Sequence, residues 1–240
     1  MSRSVAVITG GAGDIGRAIA AKLSRSGMYV SIWDIKPQPE IDRVLRELGG
    51  ESPQCLGIHC DVTKPEDLSR ALLLTHERLG PVNILVNAVG IMFYRPFIET
   101  PDTEWDQVVR VNLLGPMNAI RTVLPDMITA KNGVIVNICS IWSTHTGPMR
   151  CAYIASKWGL LGATRALAEE LRQYRIRVCA VSPGPVDTAM TAAFVEEKER
   201  RTWLKPDHVA DVVTFAVSPE ADGIVGGEIQ VFGWAKPKGV

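Results

Sequence analysis

The sequence lacks an excess of charge of either sign and lacks any apolar run long enough to cross a membrane. Its 240 residues carry 26 basic and 26 acidic side chains, so no net field attracts the chain to nucleic acid or to anionic lipid. The apolar run near the N-terminus is short and leads into a glycine cluster, unlike a signal peptide. No run reaches the roughly 20 residues that span a bilayer. We therefore expect a cytoplasmic protein without a nucleic-acid or membrane partner.

The sequence also lacks the spacing of a metal or disulfide site. Its five cysteines include no C-x-x-C pair, and an odd number without a secretory signal is typical of reduced thiols. The four histidines are scattered along the chain without the spacing of metal ligands. We expect no bound metal.

Short apolar runs rich in Val and Ile alternate with longer amphipathic stretches. Runs that are apolar on both faces are typical of parallel strands covered by helices. The alternation predicts an α/β, Rossmann-like doubly wound sheet of about seven parallel strands with helices on both faces, in a single domain over residues 1–240. The predicted strands are Val5–Thr9, Tyr29–Trp33, Gln54–Cys60, Asn83–Asn87, Val134–Ile138, Arg177–Ser182 and Glu228–Phe232. Helical stretches include Arg17–Arg25, Pro65–Arg78, Glu104–Thr129, disturbed at Gly115 and Pro116, and Cys151–Tyr174.

Tyr153 and Lys157 are four residues apart in a predicted helix, so they lie one turn apart on one face. A phenol has a pKa of about 10, and a nearby positive charge lowers it. The pair is therefore a candidate acid/base group. Alone the pattern is weak, because a tyrosine often packs in the core while a lysine four residues away is solvated.

A glycine cluster follows the first predicted strand. Gly11, Gly13 and Gly16 fit the pattern G-x-G-x-x-G. Between a strand and a helix, this pattern presents backbone N–H groups and a helix N-terminus to a pyrophosphate.

An acidic residue, Asp34, ends the second predicted strand. A carboxylate at this place can accept hydrogen bonds from both hydroxyls of the adenosine ribose and would repel a 2′-phosphate. Alternatively, Asp34 could be an ordinary turn residue at the end of the strand. Ile35 follows Asp34 at a position where an arginine would bind the 2′-phosphate of NADP, so NAD is predicted in preference to NADP. The cation that argues for NADP is Lys36, one residue further on.

Further polar residues follow the third, fourth and fifth predicted strands, whose carboxyl ends should line the same crevice. Asp61 with Val62 can face the adenine, and the stretch from Asn87 to Gly90 can let the backbone approach the sugars. Each of these residues could equally be a turn residue without a role in binding. Ser140 could steady a substrate oxygen or cap a turn, and Asn112, on an apolar helical stripe, needs a partner or a water.

Together these residues resemble the short-chain dehydrogenase/reductase family in its single-domain form, over nearly the whole chain from Val5 to Trp234. The matching positions are Thr9 with the loop from Gly10 to Gly16, Asp61, the stretch Asn87–Gly90, Asn112, Ser140, Tyr153, Lys157, Pro183 and Gly184. Asp14 departs from the family, which usually has glycine there. We expect Asp14 to cap the helix that opens at Ile15 and to turn its charge away from the phosphates.

The resemblance implies reversible hydride transfer between NAD and a secondary alcohol or its ketone. Tyr153 would exchange the proton, Lys157 would lower its pKa and hold the nicotinamide ribose, Ser140 would bind the substrate oxygen, and Asn112 would hold a relay water. The residues expected to bind the cofactor are Gly10, Gly13, Asp14, Ile15, Gly16, Asp34, Ile35, Asp61, Val62, Asn87, Ala88, Gly90, Tyr153, Lys157, Pro183, Gly184, Val186 and Thr188. Family habit suggests a homotetramer or homodimer.

The substrate is expected at Ser140, Trp142, Tyr153 and Met190. Other apolar candidates for the pocket, which could equally be core or subunit contacts, are Met92, Phe93, Met149, Phe194 and Trp203. His145 and Arg150 could contact a polar substrate group or lie on the surface. The alternatives for function are an NAD-binding sensor without turnover, an epimerase with the same chemistry, and an NADP-preferring carbonyl reductase of the 3-oxoacyl type.

Overall fold

A computed structural model describes residues 4–48 and 54–234. A sheet of seven strands, each parallel to its neighbours, forms its centre. In chain order the strands are β1 (Val5–Thr9), β2 (Tyr29–Asp34), β3 (Cys55–His59), β4 (Ile84–Asn87), β5 (Gly133–Ile138), β6 (Ile176–Pro183) and β7 (Glu228–Val231). Their order across the sheet, β3-β2-β1-β4-β5-β6-β7, reverses direction between β1 and β4. The predicted doubly wound sheet is confirmed, with strand ends within one residue of those expected.

Helices cover both faces of the sheet. They are α1 (Asp14–Arg25), α2 (Gln38–Glu47), α3 (Pro65–Arg78), α4 (Asp102–Val109), α5 (Gly115–Ala130), α6 (Cys151–Leu171), the short α7 (Ala189–Ala192) and α8 (Glu197–Arg200), and α9 (Pro206–Val217). Four of them, α2, α7, α8 and α9, lie outside the helical stretches given above. The apolar contribution of α2 to the core is small, since its fully buried side chains are Ile41 and Val44.

Alternate residues of the strands feed two apolar layers, because successive side chains of a strand point to opposite faces. Ala6 and Ile8 of β1 pack with α1, α2 and α9 on one face. Val5 and Val7 pack with α3, α5 and the C-terminal half of α6 on the other face. Every β1 residue is buried, so the loop after β1 begins from a strand that is packed on both faces.

The predicted long helix over Glu104–Thr129 is divided. A π-helical turn over Arg110–Leu114 separates α4 from α5, and Pro116 stands at the start of α5. Proline has no N–H to donate to the carbonyl four residues earlier, here that of Asn112, and its ring crowds that carbonyl. The expected disturbance at Gly115 and Pro116 therefore takes the form of a widened turn that carries Asn112.

Candidate active site

The loop between β1 and α1 needs glycine at two positions, because the surrounding backbone leaves no room there for a side chain. Gly10 has a φ of 67°, and a Cβ there would lie 2.8 Å from the backbone of Val89. A Cβ on Gly16 would lie 2.2 Å from the carbonyl oxygen of Gly10. The first turn of α1 follows beside the crevice where the strand order reverses. Such a loop and helix start are suited to a pyrophosphate.

Asp34 is buried at the carboxyl end of β2, against that loop. Its Oδ2 accepts a hydrogen bond from the N–H of Ala12 at 2.8 Å, and its Oδ1 accepts one from the N–H of Lys36 at 3.0 Å. A carboxylate offers about four acceptor sites, so capacity remains for ribose hydroxyls. The Lys36 ammonium also reaches the loop, donating to the carbonyl oxygen of Ala12 at 2.9 Å, while the Ile35 side chain is 63% exposed.

Asp14 does not cap α1, contrary to the prediction. The cap position belongs to Gly13, which has no side chain to supply a cap, and Asp14 is the first helical residue. The Asp14 carboxylate instead accepts a hydrogen bond from the N–H of Ala189 at 2.7 Å, and the Arg17 guanidinium lies 3.8 Å away. The Asp14 carboxylate is therefore hydrogen-bonded to the segment after β6, at the start of α7.

The carboxylate of Asp61, predicted to lie at the end of the third strand, makes hydrogen bonds within the fold. Asp61 accepts hydrogen bonds from the N–H and the hydroxyl of Thr63 at 2.9 Å and 2.7 Å, and Val62 is buried. Contact of this pair with adenine stays a prediction.

Asn87 bridges three strands. It accepts a hydrogen bond from the Thr9 hydroxyl at 3.1 Å and donates to Asn137 Oδ1 at 2.9 Å. Its side chain therefore stabilises the sheet, while Ala88 and Gly90, just beyond β4, line the central cavity described below.

The candidate acid/base residues meet at the ends of β5 and α6. Ser140 directly precedes a 3-10 turn over residues 141–143, and its Oγ, which accepts a hydrogen bond from the N–H of Trp142 at 3.2 Å, is near enough to Tyr153 to affect its pKa. Lys157 is buried, donates to the carbonyl oxygen of Ile138 at 2.8 Å, and lies 5.7 Å from the centre of the Tyr153 ring. The strand end and the first turns of the helix thus bring two hydroxyls and an amine together.

Burial raises the pKa of Tyr153, whereas the hydrogen bond from Ser140 and the charge of Arg150 act to lower it. Burial also lowers the pKa of Lys157. The net direction at Tyr153 is opposite to that expected from a neighbouring ammonium, because removing the phenolate from water outweighs the nearby favourable groups.

Asn112 is fully buried and holds the chain just beyond β4. Its Oδ1 accepts from the N–H of Ile91 at 2.8 Å, and its Nδ2 donates to the Ile91 carbonyl at 2.9 Å and to Ser156 Oγ at 3.1 Å. The side-chain amide is therefore engaged by protein groups and positions this segment against α6. The relay water stays a prediction.

A cavity of about 440 Å³ opens over Ser140 and Tyr153. Most of the predicted nicotinamide and substrate residues line it, namely Ile15, Ala88, Gly90, Met92, Ser140, Trp142, Arg150, Tyr153, Lys157, Pro183, Gly184, Val186, Thr188, Met190, Phe194 and Trp203. Phe93 and Met149 instead line a smaller recess beside it, shared with Arg150 and Tyr153. His145 contacts the Thr144 hydroxyl and the Ile141 carbonyl and does not line the cavity.

The segment after β6 closes one side of the cavity. Val186 forms an isolated bridge with Leu204, and the Thr188 hydroxyl accepts a hydrogen bond from the N–H of Thr191 at the start of α7. Val195 and Glu199 complete this wall. Both lie in the Met190–Leu204 segment, which the sequence suggests as a contributor to specificity, but no local pattern singles out either residue.

Comparison with known proteins assigns the family. The model for short chain dehydrogenases matches residues 4–199. The chain is 33% identical to a 3-oxoacyl-(acyl-carrier-protein) reductase of Thermotoga maritima over 238 residues, 95% of this chain and 96% of that protein. The chain belongs to the short-chain dehydrogenase family.

Solved structures agree with this family. A variant of actinorhodin polyketide ketoreductase with NADPH superimposes with a TM-score of 0.90 at 30% identity, covering 96% of each chain. A 3-ketoacyl-(acyl-carrier-protein) reductase of Brucella melitensis complexed with NADH has a TM-score of 0.89 at 29% identity, covering 96% of this chain and 97% of that one. Like its relatives, this short-chain dehydrogenase is an oxidoreductase.

The residues present fit the nicotinamide dinucleotide that such an oxidoreductase uses. The glycine loop is packed so closely that a side chain at Gly10 or Gly16 would collide with neighbouring backbone, and the Asp34 carboxylate lies beside the loop. No group of His, Cys, Asp or Glu in residues 4–48 and 54–234 is arranged to hold a metal. Within the same ranges no helix combines the length and the apolar character needed to cross a bilayer.

Proposed function

We propose that this protein is an NAD-dependent dehydrogenase that interconverts a secondary alcohol and its ketone. The supporting observation is that Ser140 and Tyr153 line the same cavity, with Lys157 one turn further along α6. These groups can bind one oxygen atom and move one proton, as the oxidation of an alcohol requires. When bound, NAD accepts or returns the hydride.

Tyr153 is the proposed acid/base group and Ser140 the proposed oxygen-binding group. During oxidation the Tyr153 oxygen takes the hydroxyl proton of the alcohol, and during reduction it returns that proton. The Ser140 hydroxyl donates to the same substrate oxygen and stabilises the charge that develops there. Because burial raises the pKa of Tyr153, the free protein holds the proton on the phenol, the form needed to start a reduction.

Lys157 is proposed to hold the nicotinamide ribose and to stabilise the phenolate. A buried ammonium needs a partner, and Lys157 donates to the Ile138 carbonyl. Asn112 fixes the neighbouring segment through Ile91, so it would keep Gly90 and Lys157 in place. A Cβ on Gly90 would lie 3.7 Å from both Asn112 Oδ1 and Lys157 Nζ, at ordinary contact distance, so Gly90 lies directly beside both groups.

The preference for NAD rests on Asp34, whose carboxylate would repel a 2′-phosphate. A second candidate is an NADP-dependent reductase of 3-oxoacyl groups. Two observations favour it: the Thermotoga maritima relative is named for that reaction, and the Lys36 ammonium lies at the carbonyl of Ala12, close to Asp34. The two candidates differ in cofactor and in the size of substrate.

The first experiment follows the absorbance of reduced nicotinamide with NAD and NADP, each against a panel of secondary alcohols, and with NADH and NADPH against ketones and a 3-oxoacyl thioester. We expect turnover with NAD and little with NADP. Turnover of the thioester with NADPH alone would establish the second candidate instead. Measurable NAD binding with no turnover of any compound would favour a sensor.

Tyr153→Phe tests the assignment of the acid/base group. Loss of general acid/base catalysis typically costs about 10²–10⁴-fold in rate, so we expect turnover to fall by that factor while NAD binding is retained. Tyr174→Phe, at a partly buried tyrosine beyond α6, is the matched control and should keep its activity. Full turnover by Tyr153→Phe would refute the mechanism.

A further inference from the structure

Residues 189–203, which carry α7 and α8, form one wall of the cavity, and we call them the wall segment. None of these residues is buried, whereas Val186 and Leu204, which flank the segment and bridge to each other, belong to the apolar core. A segment with few buried apolar contacts has low local stability, so polar contacts must contribute to its position. The members that line the cavity are Met190, Thr191, Phe194, Val195, Glu199 and Trp203.

Arg200, the last residue of α8, turns its side chain into the wall segment rather than towards solvent. The side chain is 15% exposed, whereas that of the next residue, Arg201, is 73% exposed. Its Nε donates to the carbonyl oxygen of Val195 at 3.1 Å, and its Nη1 donates to the carboxylate of Asp187. One guanidinium therefore connects the turn between α7 and α8 with the chain next to Val186, and its planar fork of donors suits this double attachment.

Asp187 is a fixed partner for Arg200. Its N–H donates to the Leu204 carbonyl at 2.8 Å, and its Oδ2 accepts a hydrogen bond from the Lys205 ammonium at 2.8 Å. The hydrogen bond from Lys205, together with the charge of Arg200, holds the pKa of Asp187 below its ordinary value. Because Lys205 lies beyond the wall segment, its bond to Asp187 strengthens the base of the segment, whereas the bond from Arg200 attaches α8 itself.

We propose that Arg200 is a positioning residue, which holds the wall segment in place beside the substrate through Asp187 and Val195. Arg200 does not itself line the cavity, so it acts through the apolar side chains of the segment that carries it. This inference rests on the proposed function and adds a residue on which substrate binding depends. Because Ser140 and Tyr153 follow β5 and lie in α6, outside the wall segment, loss of Arg200 weakens substrate binding more than it slows the chemical step.

The kinetic test compares three variants with the substrate that the absorbance assay identifies. Arg200→Met removes both hydrogen bonds of the guanidinium, and we expect the substrate KM to rise about tenfold or more, the range of a hydrogen bond to a charged group. A rise in KM with kcat retained is the signature of lost binding rather than lost catalysis. Arg200→Lys keeps the charge without the fork and should recover part of the KM. Arg201→Met, whose ion pair with Glu197 is exposed on both sides, is the matched control and should keep the KM of the unchanged protein.

The second readout does not depend on turnover. A protease specific for glutamate can cut the wall segment after Glu196, Glu197 or Glu199, and substitutions at Arg200 and Arg201 leave all three sites intact. Cleavage of a transiently opened segment follows the population of its open form. We expect Arg200→Met to be cut there about tenfold faster than the unchanged protein, Arg200→Lys at an intermediate rate, and Arg201→Met at the rate of the unchanged protein.

The sites of cleavage separate local opening from general unfolding. If Arg200→Met unfolds the whole chain, the protease also cuts in α3, after Glu66 or Glu77, and the comparison of Arg200→Lys with Arg201→Met then decides the matter. Equal rates of cleavage in these two variants would overturn the proposal. So would a fall in kcat with an unchanged KM, because Arg200 would then act on the chemical step.

The two readouts also separate this inference from the proposed function. If alcohols are oxidised and Arg200→Met changes neither the KM nor the rate of cleavage, the role of Arg200 is refuted and the dehydrogenase function stands. If Arg200→Met alone speeds cleavage but no compound is turned over, Arg200 does hold the wall segment and the dehydrogenase function fails.

Discussion

The hydrogen bond from the Ala189 N–H to the Asp14 carboxylate connects the pyrophosphate loop to the wall of the substrate cavity. Asp14 is the first residue of α1, and Ala189 is the first residue of α7, which carries Met190 into the cavity. The two residues are 175 positions apart and their atoms 2.7 Å apart. We expect this contact to hold α7 near the catalytic residues, at the cost of a negative charge close to the phosphates.

Two substitutions separate the contact from the charge. Asp14→Asn removes the charge but keeps an oxygen that can accept from Ala189, whereas Asp14→Gly removes both. A hydrogen bond to a charged group contributes about 1.5–3 kcal/mol, and the side chain of Asp14 is 33% exposed, so solvent screening reduces this to about 1 kcal/mol. Repulsion between unit charges in water is about 1 kcal/mol at 4 Å and falls with distance, which sets an upper limit of about fivefold on the gain in NAD affinity.

The assay is NAD affinity by titration, together with the KM of whichever substrate is found. We expect both variants to bind NAD up to about fivefold more tightly, with the gain reduced by added salt. Only Asp14→Gly should raise the substrate KM, by about fivefold for the loss of about 1 kcal/mol. Equal substrate KM values in the two variants would refute the role of the Ala189 contact, and unchanged NAD affinity in both would refute the charge argument.

Two further predictions concern buried charges. Asp34→Asn should raise the ratio of NADP to NAD efficiency by about tenfold or more, because a repulsion of about 1.4 kcal/mol is removed while the Lys36 ammonium remains; an unchanged ratio of kcat/KM values would contradict this. Lys157→Met should abolish turnover yet raise the free energy of unfolding near neutral pH, because burial disfavours the ammonium and lowers the pKa of Lys157. This gain in the free energy of unfolding should shrink as the pH rises towards the ordinary lysine pKa of about 10.4, above which the amine is neutral in both the folded and the unfolded protein. Denaturation at several pH values measures the gain, and a loss of stability at pH 7 would contradict the prediction.

The sequence by itself determined the sheet and singled out the candidate residues at the centre of the cavity. Runs such as Val5–Thr9 are apolar at every position, and only a strand covered on both faces buries all of them. The glycines after that run and the spacing of Tyr153 and Lys157 are local patterns. They can be recognised in the sequence without knowing which residues lie across the crevice. The doubly wound fold then brings the carboxyl ends of the strands together.

Tertiary structure decided the features that depend on distant partners. Asp14 looks like a helix cap in the sequence, but its partner Ala189 comes from the other end of the chain. The direction of the Tyr153 pKa follows from burial, which the four-residue spacing to Lys157 does not reveal. The sequence leaves Arg150 as either a contact for a polar substrate group or a surface residue, and only packing places it against Tyr94 and Trp142. Desolvation and long-range contacts depend on how the whole chain folds, so local patterns cannot specify them.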